Sequence, residues 1–254
     1  MCMYMIEVRL EQYRRVRPNL RSGDLVLFRD VGVSSVISCL ESLSTGCDVY
    51  THVGIIVMSD SFPVGSHYRL CGVDGDDYAI IPYIFESTQS GIGGDGSSDA
   101  DGRRYLGVQL RKFDDVVESY GLKPQTKIVI GKLKNEYVID DQKLYDTVVK
   151  YNHTRYQLNF VQLLSGIFKV LRRVRFVCDV GIFCSELVAI VLKENGILGD
   201  SVNPKNCLPV DFVPKNDRET YDADNEIPVL INELIELDTV KQKQHNKVSC
   251  CGFI

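Results

Sequence analysis

Two hydrophobic periods alternate along the chain, and the apolar density is greatest in Gly181-Ile182-Phe183-Cys184-Ser185-Glu186-Leu187-Val188-Ala189-Ile190-Val191-Leu192. After Cys184 the apolar residues cover most of a helix circumference, and Asn195-Gly196 supplies a stop. About three turns packed against a sheet are predicted there. Upstream, residues 3–16 have the composition of a short polar helix, and Arg21-Ser22-Gly23-Asp24 makes a turn into Leu25-Val26-Leu27-Phe28, an apolar run suited to a buried strand. Ser34 to Leu43 has helical spacing, and β-branched Thr51 to Met58 predicts a second strand that His52 enters. A weak strand is predicted around Tyr68 to Val73. Another runs from Tyr78 to Ser87, where Pro82 implies an edge or a bulge and Glu86 closes the run.

From Gln89 to Arg104 the residues are mostly Gly, Ser and Asp, the composition of a surface loop. Strands are predicted at 106–110 and 126–131, and helices at 113–120, 140–152 and 160–171, the last running into Arg172-Arg173-Val174-Arg175. Residues 203–212 form a proline-punctuated connector, and Ile227 to Leu237 is amphipathic without a clear period. No internal repeat is visible.

Composition narrows the classes. Of 254 residues, 44% are hydrophobic and 25% charged, as in an ordinary globular protein with one core. A formal net charge of -5 supplies no overall basic field for nucleic acid, which is not an expected partner. The opening residues lack a basic n-region, and no later apolar run approaches the ~20 residues that span a bilayer, so a cytoplasmic location is expected. Nine cysteines without C-x-x-C pairs suggest neither a closed disulfide set nor a structural zinc site. Asp95, Asp99 and Asp101 miss the calcium-loop spacing, and no motif supports a metal-dependent hydrolase.

Three features carry chemistry: a cysteine opening a buried helix, a histidine entering a strand, and a carboxylate one strand further on. A thiol at a helix N-terminus meets backbone N–H groups and the positive end of the dipole, which favour thiolate and can hold an oxyanion. An imidazole that shares the thiol proton, steadied by a third group, completes a nucleophile that works at neutral pH. Each residue also has a plainer reading: an inert buried cysteine, a satisfied strand-edge histidine, a solvent-facing strand terminus. The basic run at 172–175 suits a solvated helix C-terminus.

The words Arg21-Ser22-Gly23-Asp24-Leu25-Val26-Leu27-Phe28, Thr51-His52-Val53-Gly54-Ile55-Ile56, Phe85-Glu86-Ser87, Tyr156 with Asn159-Phe160, Phe183-Cys184-Ser185-Glu186-Leu187-Val188 and Leu208-Pro209-Val210-Asp211-Phe212 occur in that order. Together they resemble the papain-like NlpC-type cysteine hydrolases in their circularly permuted form, above all the YiiX-like branch, in which the histidine strand precedes the cysteine helix. The resemblance covers about residues 20–213. It implies an α+β fold of permuted papain-like type, with an antiparallel sheet packed against helices, over a domain of residues 1–213 followed by a C-terminal extension, 214–254. It also implies a Cys-His-Glu triad: Cys184 as nucleophile, His52 as general base and acid, Glu86 orienting His52. Tyr156 matches a tyrosine beside the nucleophile that supports the oxyanion. Asp24 and Ser185-Glu186 match structural turn and helix-start residues. No cofactor and no metal is implied.

Related permuted proteins include peptide amidases and lipid acyltransferases of the lecithin retinol type. The resemblance therefore implies a hydrolase or acyltransferase that opens an amide or ester bond of a peptide or lipid-like acyl substrate through a thioester. The rival expectation is a catalytically silent lipid- or protein-binding module on the same fold. Cys251 stands fourth from the last residue given, a spacing that fits a prenylation box, with Cys250 as a palmitoylation candidate and Lys241, Lys243 and Lys247 nearby for an anionic membrane surface. Anchoring from the cytosolic side is the matching expectation.

Overall fold

The computed structural model describes residues 2–30, 50–69, 80–88, 106–121, 126–156, 181–213, 227 and 230–237. Its elements are α1 (Cys2–Val16), β1 (Leu25–Asp30), β2 (Tyr50–Met58), β3 (Pro82–Thr88), β4 (Gly107–Lys112), α2 (Phe113–Gly121), β5 (Thr126–Leu133), α3 (Asp141–Tyr151), α4 (Cys184–Glu194) and β6 (Ile231–Leu237). The six strands form one antiparallel sheet in the order β4-β3-β2-β1-β5-β6. The architecture is α+β, an antiparallel sheet packed against helices.

Why the central strands read as unbroken apolar runs is plain from the packing. In β1, Leu25 and Leu27 point into one core cluster while Val26 and Phe28 point into another, so both faces are buried. The first cluster lies under α3 and α4 and takes in Val53, Ile55, Val57, Tyr83, Phe85, Cys184, Leu187, Val188 and Val191. The second, under α1 and α2, takes in Tyr13, Ile56, Ile84, Phe113, Val116 and Val117. Alternation along each strand sends successive residues to opposite helix layers.

Asp24 sits fully buried in the turn before β1. Its carboxylate accepts from the Arg21 N–H at 3.0 Å, the Leu133 N–H at 3.1 Å and the Lys132 ammonium, fastening the turn to β5. That is a structural role. At the other end of the chain, β6 pairs with β5 from Ile128↔Leu237 to Leu133↔Ile231. The segment assigned by sequence to a C-terminal extension, 214–254, thus supplies the sixth strand of the sheet.

Two local expectations are corrected. Strand β3 lies inside the sheet between β2 and β4, and Pro82 is its first residue, where a missing donor is tolerated. Neither an edge nor a bulge is needed. Residues 67–69 form a single 3₁₀ turn in place of the start of a weak strand. The predicted helices at 34–43 and 160–171, the 89–104 loop with its aspartates, Arg172 to Arg175, and Cys250 and Cys251 lie outside the described residues. Among the described residues no helix is long and apolar enough to cross a membrane.

Candidate active site

Helix α4 begins where its sequence requires. Gly181 takes a φ of +103°, a left-handed conformation that glycine adopts without strain, and Phe183 follows in extended geometry as N-cap. Phenylalanine has no side-chain acceptor, so the cap is made from within the helix: Glu186 Oε2 accepts from the Phe183 N–H at 3.4 Å. Cys184 is therefore the first helical residue, and it is buried. At the far end Gly196, with a φ of +72°, lets the Ile197 N–H reach the Leu192 carbonyl, the stop predicted from Asn195-Gly196.

Neighbouring segments pin this helix start. Ser87 Oγ donates to the Ile182 carbonyl at 2.6 Å, tying the approach to β3, and Ser185 Oγ donates to the Cys207 carbonyl at 2.6 Å. The Leu208-Pro209-Val210-Asp211-Phe212 word forms a 3₁₀ turn in which Asp211 accepts from the Leu208 N–H at 2.8 Å. Ser185, Glu186 and Asp211 are thus buried scaffolding around the thiol.

His52 and Glu86 come together just beyond the last pairs of the β2–β3 ladder. The β2–β3 ladder runs from Met58↔Pro82 to Ile55↔Phe85. Beyond that point β2 stays with β1 as far as Tyr50, and β3 stays with β4 as far as Thr88. An irregularity where Arg29 pairs with Tyr50 leaves Thr51 as the extra residue next to His52. Across the unpaired stretch His52 Nε2 stands 2.7 Å from Glu86 Oε2. The imidazole is 16% exposed and packs on Phe28 at a ring-centroid distance of 5.1 Å, while the carboxylate is 1% exposed. Gly54 keeps the gap narrow, since a Cβ there would lie 2.6 Å from Ile84 and 3.2 Å from the Glu86 Cβ.

Electrostatics follow from this placement. For His52, burial pushes the imidazole pKa down, but the charge and hydrogen bonding of Cys184, together with the Glu86 carboxylate, outweigh it and raise the value from 6.5 to about 10. The Glu86 carboxyl is pushed up by burial and held below its usual range by the His52 hydrogen bond and the Arg111 charge. Arg111, from β4, donates through Nη1 to Glu86 Oε1 at 2.9 Å and is itself buried. The thiol, imidazole and carboxylate therefore form one interacting chain with a guanidinium behind it.

Tyr156 reaches the same place by another route. Residues 153–156 lie along β4, with the Val108 N–H donating to the Thr154 carbonyl at 2.8 Å and the Tyr156 N–H to the Leu106 carbonyl at 3.3 Å. Gly107, at a φ of +143°, permits that approach: a Cβ would fall 2.1 Å from the Thr154 oxygen. Tyr156 bridges to Ile182, and its ring lies 5.7 Å from that of Phe183. Burial and then the charge of Cys184 push its hydroxyl well above the ordinary tyrosine pKa, so it stays a neutral O–H donor.

Cys184, His52, Glu86 and Tyr156, four candidates far apart in sequence, are thus gathered in space. Sequence reasoning missed Arg111 and Ser87. Both stand on predicted strands or directly after one, and their signal is the β3–β4 register, which pairs Ile84 with Arg111 and Glu86 with Gln109. A cavity of about 640 Å³ lies at the opposite end of β2, lined by Arg17, Arg21, Met58, Asp60 and Ile139, and it includes none of these site residues. Among the described residues no group of three or more His, Cys, Asp and Glu side chains is placed to hold a metal ion. The sequence matches no protein-family model and no curated protein sequence.

Proposed function

We propose that the protein is a cysteine-dependent hydrolase or acyltransferase of the circularly permuted NlpC-type, YiiX-like kind, opening an amide or ester bond of a peptide or lipid-like acyl substrate through a thioester. The observation that carries this reading is the interaction of Cys184, first residue of α4, with a His52 ring that Glu86 holds at 2.7 Å. The chain order also supports it, because β2 with its histidine precedes α4 with its cysteine.

With Nε2 engaged by Glu86, Nδ1 is the ring nitrogen left to exchange a proton with the thiol. The raised imidazole pKa keeps His52 protonated at neutral pH, and the attacking form in the proposed reaction is the thiolate. The Cys184 sulfur attacks the acyl carbon, and the carbonyl electron pair moves to oxygen. Backbone N–H groups at the α4 N-terminus and the Tyr156 hydroxyl stabilise that oxyanion. Collapse of the tetrahedral species expels an amine or alkoxide, which takes the proton from His52. Water or a second nucleophile then returns a proton to His52 as it attacks the thioester, and the thiolate leaves.

A thiol-directed probe tests the reading. Under native conditions at pH 7, Cys184 is expected to react faster than the other eight of the nine cysteines, and His52→Ala is expected to abolish that advantage. Equal, pH-insensitive labelling of all nine sites, read by peptide mass spectrometry, would remove the basis for the reading.

A further inference from the structure

Glu86 is a carboxylate cut off from water, and its two oxygens are divided between two partners. Oε2 faces His52 Nε2 at 2.7 Å, and Oε1 accepts from Arg111 Nη1 at 2.9 Å. Both Glu86 and Arg111 are 1% exposed. Arg111 approaches from β4, on the side of β3 away from β2, so the carboxylate is held between two strands.

This division matters because the two partners differ in kind. In the mechanism above His52 loses its proton to the leaving group and regains it from the acceptor. A buried carboxylate whose only cation was that imidazolium would be left unpaired in every turnover and would respond by taking up a proton. A guanidinium does not titrate in the working range, so its charge persists when His52 is neutral. Its planar fork also fixes the carboxylate's direction, which a mobile ammonium does less well.

We infer that Arg111 is a positioning residue for the reaction: it pins Glu86 Oε1, keeps that carboxylate ionised, and leaves Oε2 aimed at His52 through the half of the cycle in which His52 is neutral. This rests on the reading of Cys184 and His52 as the reacting pair. Among the described residues the groups that face the imidazole are Cys184 from α4 and Glu86 from β3, with Arg111 behind Glu86, Tyr156 beside Cys184 and Tyr120 behind Phe28.

The test uses the full chain and needs no natural substrate. Alkylation of Cys184 by iodoacetamide is followed from pH 5 to 10 by peptide mass spectrometry, with the His52 pKa read by NMR, in wild type, Arg111→Met, Arg111→Lys, Glu86→Gln and the Glu86→Gln/Arg111→Met double variant. Arg111→Met is expected to raise the His52 pKa by about one unit, because a neutral ring would then leave the buried carboxylate without its guanidinium, and to slow alkylation at pH 6 about tenfold as the ring loses its fixed direction. Arg111→Lys is expected to recover most of both. In the Glu86→Gln background Arg111→Met is expected to slow alkylation by less than a further factor of about two, because Arg111 directs the ring through that carboxylate. An Arg111→Met protein with reduced thermal stability but unchanged His52 pKa and alkylation profile overturns the proposal, as does a further slowing of alkylation by about tenfold from Glu86→Gln to the double variant. If Arg111→Met fails to fold, the comparison of the double variant with Glu86→Gln decides alone. Failure of the underlying reading shows itself separately, in wild-type Cys184 reacting no faster than the other cysteines.

Discussion

His52 and Glu86 stand on neighbouring strands, three residues and one residue beyond the last ladder pair Ile55↔Phe85, and their side chains meet at 2.7 Å. In the register of that ladder Gly54 falls opposite Glu86, which sets His52 diagonally beside the carboxylate on the same face of the sheet. There the imidazole interacts with Cys184 at the start of α4 and with the Glu86 carboxylate. A fold built from regular pairing thus makes its site at the point where pairing is relaxed.

Gly54 sets the width of that gap. Gly54→Ala places a methyl group 2.6 Å from Ile84 and 3.2 Å from the Glu86 Cβ, inside van der Waals contact with both. The expected cost is about 1–3 kcal/mol of stability, with the carboxylate pushed off His52. Chemical denaturation measures the first effect, and loss of preferential Cys184 labelling measures the second. A variant of wild-type stability and reactivity would show that β2 and β3 separate more freely than described.

Much of this arrangement was legible in the sequence, for identifiable reasons. The strands at 25–28, 51–58 and 126–131 showed because both their faces are buried, so that nearly every position is apolar. Helix α4 showed because Cys184 to Leu192 is followed by Asn195-Gly196; Cys184 showed as its first residue and His52 as a polar residue entering an apolar strand, whereas Glu86, read as a strand end, lies inside β3. Arg111 did not, since the predicted strand stopped at Leu110, one residue short, and only long-range register brings a basic residue next to Glu86. The run Ile231-Asn232-Glu233-Leu234-Ile235-Glu236-Leu237 fits either period, and pairing with β5 decides it as a strand. Pro82 misled because a proline signals a missing donor without saying whether it falls inside a strand or at its start.

Gly107→Ala attacks a different support. The φ of +143° is strained for any residue with a side chain, and the new Cβ would lie 2.1 Å from the Thr154 carbonyl oxygen, a backbone atom that has no rotamer to escape into. Residues 154–156 must therefore move away from β4 and carry Tyr156 with them. A loss of about 2 kcal/mol or more is expected, together with weaker protection of the Val108 and Tyr156 amides in hydrogen exchange. Unchanged protection at both amides would contradict the account of the strip.

The pH dependence of stability has a definite sign. Because the folded His52 pKa is raised from 6.5 to about 10, its contribution is complete below about 6.5 and is lost as pH rises toward 10. Glu86, held below the ordinary value of 4.5, contributes fully above that value and loses its contribution as pH falls below it. The Tm difference between wild type and His52→Gln is therefore expected to be largest between about pH 4.5 and 6.5 and to shrink on the alkaline side. Thermal melts from pH 4 to 10 check this, and a difference that stays flat to pH 10 would count against a raised His52 pKa.

Tyr156 separates two steps that a single activity measurement would merge. In the proposed reaction its hydroxyl, kept neutral by burial and by the charge of Cys184, serves the oxyanion and takes no part in activating the sulfur. Alkylation by iodoacetamide displaces iodide at a saturated carbon and forms no oxyanion, whereas acylation by a p-nitrophenyl ester passes through one. Tyr156→Phe keeps the ring and its 5.7 Å contact with Phe183, so packing is preserved. Acylation, read as the burst of nitrophenolate, is expected to slow about 10²-fold while alkylation of Cys184 stays within a factor of about two. Equal loss in both reactions would assign Tyr156 to holding the start of α4, and no loss in either would remove it from the site altogether.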